Sequence, residues 1–141
     1  MWPQRTASIA PNHTPPSVAG RFLEGEAAYE RHSWNAAVSM YRSALDIATK
    51  SLPGVPAKQS FYTRLKWLAD NGRITAEMKT WADRVRLEGN EALHDPDDFT
   101  EEDARPLRLF TLSFLRYMFE LPGEVAAYEA ETPPVDGAEA N

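Results

Sequence analysis

Between Trp34 and Leu52 the apolar residues Ala37, Met40, Tyr41, Ala44, Leu45 and Ala48 recur three and four positions apart. That spacing gathers them on one face of an α-helix. Ser33 stands where an N-cap belongs, and Pro53-Gly54 supplies the stop. Ser60 to Asp70 repeats the pattern with Phe61, Leu65 and Leu68 on one side, and Asn71-Gly72 ends it in an αL-type cap. Thr75 opens a longer run, to about Leu93, whose core stripe is Met78, Trp81, Ala82 and Val85. Val18 to Arg31 is a weaker helix, because Gly20 and Gly25 each cost about 1 kcal/mol relative to alanine. A last helix covers Thr100 to Leu121, started by a variant capping box of Thr100 and Asp103 and kinked early by Pro106. No segment alternates apolar and polar residues long enough for a strand. The pattern predicts an all-α bundle of four long helices plus a shorter one.

The flanks break this pattern. Residues 1–16 hold Pro3, Pro11, Pro15 and Pro16 among small polar residues, which predicts an extended arm laid on the domain or left mobile. The helical domain then spans 17–121. Residues 122–141, with Thr132-Pro133-Pro134 and few bulky apolar side chains, read as an acidic, disordered tail. Charge sharpens that division. The net charge is -6, and six acids but no Lys or Arg lie from Glu120 onward. Before Glu120 the chain holds 15 acids and 15 bases, so its body is neutral.

Composition removes several chemistries. There is no cysteine, which excludes disulfide scaffolds, redox pairs and cysteine-ligated metals. No apolar run approaches the roughly 20 residues of a spanning helix, and the start, Met1-Trp2-Pro3-Gln4-Arg5, lacks the apolar core of a secretory signal. A cytoplasmic protein without cofactor, metal or membrane contact is expected. Asp95, Asp97, Asp98, Glu101, Glu102 and Asp103 form an acidic cluster without the glycine or alternation of a calcium loop; acids before and within a first helical turn explain it. Trp67, Trp81, Tyr62, Phe110, Phe114 and Phe119 sit at helical spacing and read as core rather than base-stacking platforms. From Arg21 to His94 there are 11 bases against 9 acids, too small an excess for a broad nucleic-acid surface.

One constellation combines cation, amide and imidazole. Along the fourth helix, Arg86, Asn90 and His94 rise in one stripe at about 100°, 140° and 180° from Val85. Leu87, at about 200°, makes this second face part apolar, as expected where a helix packs on a second subunit or another helix. His94 could act as acid or base, Arg86 could hold a phosphate, and Asn90 could orient it. One helix offers one histidine, so an RNA-cleaving site would need a symmetric partner. The same residues suit a structural role: Asn90 and His94 can bond to the loop ahead of Asp95-Pro96, and a histidine at a helix C-terminus gains about 0.3–1 kcal/mol from the dipole. Arg42 and Asp46, four apart on the second helix, read as an ion pair, and Arg42 could also approach the Asn90–His94 face.

The run Arg86-Leu87-Glu88-Gly89-Asn90-Glu91-Ala92-Leu93-His94 resembles the signature of the prokaryotic domain-of-unknown-function family 4145. In that family an Ile-Arg-x-x-Gly-Asn-x-x-x-His segment precedes an acidic stretch and a helix ending near aromatic-x-Leu-Pro. Here Val85 takes the Ile position, Asp95 to Asp103 is the acidic stretch, and Tyr117-Met118-Phe119-Glu120-Leu121-Pro122 ends the helix. Tyr41-Arg42-Ser43-Ala44-Leu45-Asp46 resembles the family's Arg-x-x-Leu-Glu helix, and Pro15-Pro16-Ser17-Val18 its proline-rich entry, so the likeness covers about residues 3–128. The family is similar to HEPN domains, helical modules of toxin–antitoxin, restriction and phage-defence systems. Active HEPN ribonucleases carry an arginine immediately before the polar residue of an Arg-polar-x-His run. Gly89 occupies that place, while Asn90 and His94 match and Arg86 lies one turn earlier. The resemblance therefore implies a HEPN-like bundle acting as a non-enzymatic, homodimeric interaction module. Its partner would be a larger protein encoded nearby, and Arg86, Leu87, Asn90, His94 and Arg42 form the expected interface. A metal-independent ribonuclease or toxin using His94 with Arg86 and Asn90 across the dimer is the alternative, and RNA a partner only in that case.

Overall fold

The computed structural model describes residues 9–85 and 99–131. Within them the chain forms α1 (Pro16–Glu30), α2 (Trp34–Ser51), α3 (Phe61–Asp70), α4 (Ala76–Arg84) and α5 (Glu101–Leu115). A single π-helical turn, Arg116–Glu120, then joins α5 to α6 (Leu121–Glu131) without a break. No strand occurs among the described residues. The all-α expectation holds.

Local chemistry explains the boundaries. Pro16 opens α1, where its missing N–H costs no hydrogen bond. The chain reverses through Arg31, His32 and Ser33, with the His32 amide donating to the Tyr29 carbonyl and the Ser33 amide to Ala28 (3.0 and 2.8 Å). This Schellman closure puts a non-glycine residue, His32, at φ +63°; its ring stacks 5.1 Å from the indole of Trp34. Ser60 and Thr75 are the N-caps of α3 and α4, their hydroxyls accepting from the amides of Thr63 and Met78. The backbone N–H of Thr100 donates to the Asp103 carboxylate at 2.8 Å, the half of the capping box that the sequence predicts. Gly72, at φ +69°, closes α3 as predicted.

Helix α2 is the central element, packed against α1, α3 and α5, while α4 lies on α3 and α5. Of its predicted stripe, Met40 is only half-buried, while Ala37, Tyr41, Ala44, Leu45 and Ala48 are fully buried. They meet Val18 and Phe22 of α1, Leu65 and Leu68 of α3, and Leu107, Phe110, Phe114 and Leu115 of α5. Trp81 stands edge-on to Phe110, its ring centre 5.4 Å away. Of the six aromatic residues assigned to the core, Tyr62 lies at the surface, where the Lys79 ammonium sits over its ring.

Three features of the structure bear on the site. Helix α4 closes at Arg84, with Val85 as its C-cap, and the remainder of the run expected to reach Leu93 lies outside the described residues. The last helix does not end at Leu121 but passes through Pro122-Gly123 to Glu131, so ordered structure enters what was read as tail. A proline clashes with the carbonyl four residues earlier, here Met118, and Met118 lies in the widened π turn, where the Leu121 amide reaches back to Arg116 instead. Finally, the arm lies along this extension: the Asn12 amide donates to the Glu120 carboxylate, and His13 (φ +70°) reaches Glu124. A Cβ on Gly123 would overlap the His13 ring, so a glycine is what lets the arm lie there.

Candidate functional site

Helix α2 carries polar side chains toward two neighbours, and each is tied into a structural network. Toward α1 and α5, the Tyr41 hydroxyl donates to Glu26 at 2.5 Å. Arg108 grips the same carboxylate with two hydrogen bonds, Nε to Oε2 at 2.8 Å and Nη2 to Oε1 at 3.0 Å. The parallel fork is the strong geometry for a carboxylate, and Glu26 is buried, so three helices share one charge-assisted junction. Burial and the neighbouring Glu26 carboxylate push the Tyr41 phenol far above the ordinary tyrosine range. The hydrogen bonds it donates to Glu26 likewise hold the Arg108 guanidinium above its usual value. A phenol so held does not serve as a base near neutral pH.

Toward α3, α2 presents Asp46 and Thr49 to Arg64, the largest fully buried side chain among the described residues. Arg64 Nε donates to Thr49 Oγ1 at 2.9 Å, Nη1 to the Gln59 carbonyl at 2.6 Å, and Nη2 to the Asp46 carboxylate. Lys50 flanks that carboxylate at 3.2 Å. The spacing rule assigned Asp46 to Arg42; the carboxylate is held by Arg64, which spacing along one helix cannot find because this partner arrives on another helix. The signal available was weak: an arginine at position 64, between the core residues Phe61 and Leu65, within an otherwise apolar stripe.

Of the candidate interface residues, Arg86, Leu87, Asn90 and His94 lie outside the described residues, as do Asp95, Asp97 and Asp98 of the acidic cluster. Arg42 is described. Its guanidinium stands over the Phe99 ring, 5.5 Å from the centre, at the first described residue after that segment. Arg42, Leu45, Asp46 and Phe61 line a small cavity of about 140 Å³ between α2 and α3. A wider one of about 410 Å³ is lined by Ser33, Trp34, Asn35, Ala36 and Phe99. Among the described residues, no group of three or more His, Asp or Glu side chains is placed to hold a metal ion. None of the described helices is long and apolar enough to cross a membrane.

The feature that sequence reasoning missed is α6. It contains no buried residue, and it touches the π turn and the arm rather than the bundle core. At about 100° per residue, Leu121, Val125 and Tyr128 fall within about 60° of one another, and all three are exposed. Glu129 flanks this stripe on one side, Glu124 and Glu131 on the other. The signal was present as an i, i+4, i+7 spacing, hidden because Pro122-Gly123 reads as a stop.

No curated protein and no solved structure matches the chain. A family model does, that of the family described as Domain of unknown function (DUF4145), over residues 24–131. The match takes in α1 from its middle, the whole of α2 to α5, and ends on the last residue of α6, so α6 lies inside the matched region. Covering well over half of its length, that match shows that the chain belongs to the DUF4145 family.

Proposed function

We propose that the chain is a non-enzymatic helical interaction module of HEPN-like architecture, cytoplasmic, and working in prokaryotic defence or a related regulatory setting. The observation that carries this reading is α6, a described helix with no buried residue that aligns three large apolar side chains on one exposed face. The buried charged groups on either side of α2 support it. Glu26 and Arg64 are each bound on both sides by groups that hold helices together. Self-association belongs to the same reading and rests on the sequence pattern around Leu87, with Arg86, Asn90 and His94 as its polar members and Arg42 beside the Phe99 end of that segment.

Purified chain and a His94→Ala variant, incubated with single-stranded and structured RNA without metal, are expected to give no cleavage above buffer. Cleavage by the parent that is lost in His94→Ala overturns the non-enzymatic reading in favour of the ribonuclease. Light scattering on a sizing column is expected to show a dimer at tens of micromolar; a monomer there removes the self-association.

A further inference from the structure

Helix α6 is patterned on both sides of its apolar stripe, and the pattern selects a partner. Leu121, Val125 and Tyr128 are 54%, 48% and 67% exposed. Glu124 and Glu131 run along one edge of the stripe and Glu129 along the other, each about 40–60° from the nearest apolar residue. The last base in the chain is Arg116, so nothing on α6 itself neutralises these rails. His13 and Asn12 engage Glu124 from the arm, on the side of the helix away from Val125.

We infer that α6 is the docking face for a basic amphipathic helix of another protein, one that presents apolar residues three and four apart between lysines or arginines. The inference rests on the interaction-module reading and deepens it by naming the partner's chemistry. Charge complementarity decides among occupants. Two copies of α6 laid together would set glutamate rails against glutamate rails, and like charges at that separation repel. Anionic lipid surfaces and nucleic acids carry the same sign as the rails and are turned away. A helix with an apolar seam and basic edges fills the stripe and pairs both rails at once. Three helical turns of contact lie at the small end of specific interfaces, which suits a transient partner.

The test uses the full chain and three fluorescent synthetic peptides of equal length, followed by anisotropy. One is an amphipathic Leu/Lys helix, one its Leu/Glu counterpart, and one a Ser/Lys peptide of the same charge without an apolar seam. The Leu/Lys peptide is expected to bind at least about tenfold tighter than either control. Val125→Asp combined with Tyr128→Ser is expected to weaken it by about tenfold or more, the loss typical of central interface anchors. The melting temperature should stay the same, because neither side chain is part of the core. Equal binding of the Ser/Lys peptide overturns the proposal, since charge alone would then account for it. So does Leu/Lys binding that the double substitution leaves unchanged. A dimer that the double substitution turns into a monomer assigns the face to a second copy and overturns it as well. RNA cleavage by the chain would remove the non-enzymatic reading without altering these titrations, so the two failures are separable.

Discussion

Replacing Gly25 by alanine sets two effects against each other within one helix. At an exposed interior helical position, Gly→Ala favours folding by about 0.5–1 kcal/mol, because alanine has less backbone freedom to lose. Gly20 is such a position: a Cβ built there meets nothing within 4 Å. At Gly25 the added carbon would lie 2.7 and 2.8 Å from Cε1 and Cδ1 of Tyr41 and 3.3 Å from Met40 Cβ. Carbon atoms in contact rest at about 3.5–4.0 Å, so α1 and α2 must part by roughly an ångström or the ring must turn aside. The ring is not free to turn. Tyr41 is fully buried, its hydroxyl is tied to Glu26, and Phe22 packs 5.9 Å from its centre. Overpacking of this kind costs about 1–3 kcal/mol, which exceeds the propensity gain.

The two substitutions should therefore move stability in opposite directions. At about 3–4 °C per kcal/mol for a domain of this size, Gly20→Ala should raise the melting temperature by about 2–4 °C and Gly25→Ala should lower it by about 3–7 °C. Far-UV circular dichroism of the full chain reads both. The origin is checked with Tyr41→Leu, which removes the ring edge that the methyl would strike. Combined with Gly25→Ala, it should cost less than the two single changes added together, by at least about 0.5 kcal/mol. A rise in melting temperature for Gly25→Ala, or strict additivity with Tyr41→Leu, would refute the close-approach argument.

Two further outcomes follow from the polar junctions. The folded chain holds the Tyr41 phenol protonated to higher pH than the unfolded chain, whose tyrosines ionise near about pH 10. Stability from this group is thus full below about pH 10 and falls as pH rises beyond it; Tyr41→Phe should flatten that loss when urea midpoints at about pH 9 and pH 11 are compared, and equal slopes would contradict it. Arg64→Ala should cost about 3 kcal/mol in urea unfolding, the low end for a broken buried pair, because Asp46 keeps 44% of its side chain in water. Asp46→Asn should cost about as much, because it leaves the buried Arg64 guanidinium without its counter-ion, and Arg64→Lys should recover less than half of the alanine loss, since an ammonium cannot reproduce the three-way fork.

What the sequence made legible was whatever periodicity and capping chemistry encode locally. The α2 stripe and the caps at Ser60, Thr75 and Asn71-Gly72 are one-dimensional signals, and each lies where the rules put it. The polar junctions were not legible, because their partners meet from different helices: Arg108 lies 82 positions from Glu26, and Arg64 lies 18 from Asp46. Spacing along one helix offered Arg42 for Asp46, and the tertiary arrangement supplied Arg64. Gly25 was read only as a propensity cost, since the close approach to Tyr41 exists only once α1 and α2 are packed.

The acid surplus at the C-terminal end changes meaning for a related reason. Pro122-Gly123 is a strong helix stop when the preceding turn is a regular α turn, because the proline ring then meets the carbonyl of Met118. The π turn Arg116–Glu120 widens the backbone at that carbonyl, and Gly123 leaves room for His13, so the helix continues where the rule ends it. Four of the six surplus acids, Glu120, Glu124, Glu129 and Glu131, thereby stand on a helical scaffold rather than in an unstructured tail. An unstructured run of acids repels anions without discriminating among cations. Fixed at helical spacing around Leu121, Val125 and Tyr128, three of those charges frame an apolar stripe and discriminate by geometry as well as sign. The same net charge of -6 that argues against a broad nucleic-acid surface thus becomes, through one widened turn, the specificity element of a docking helix.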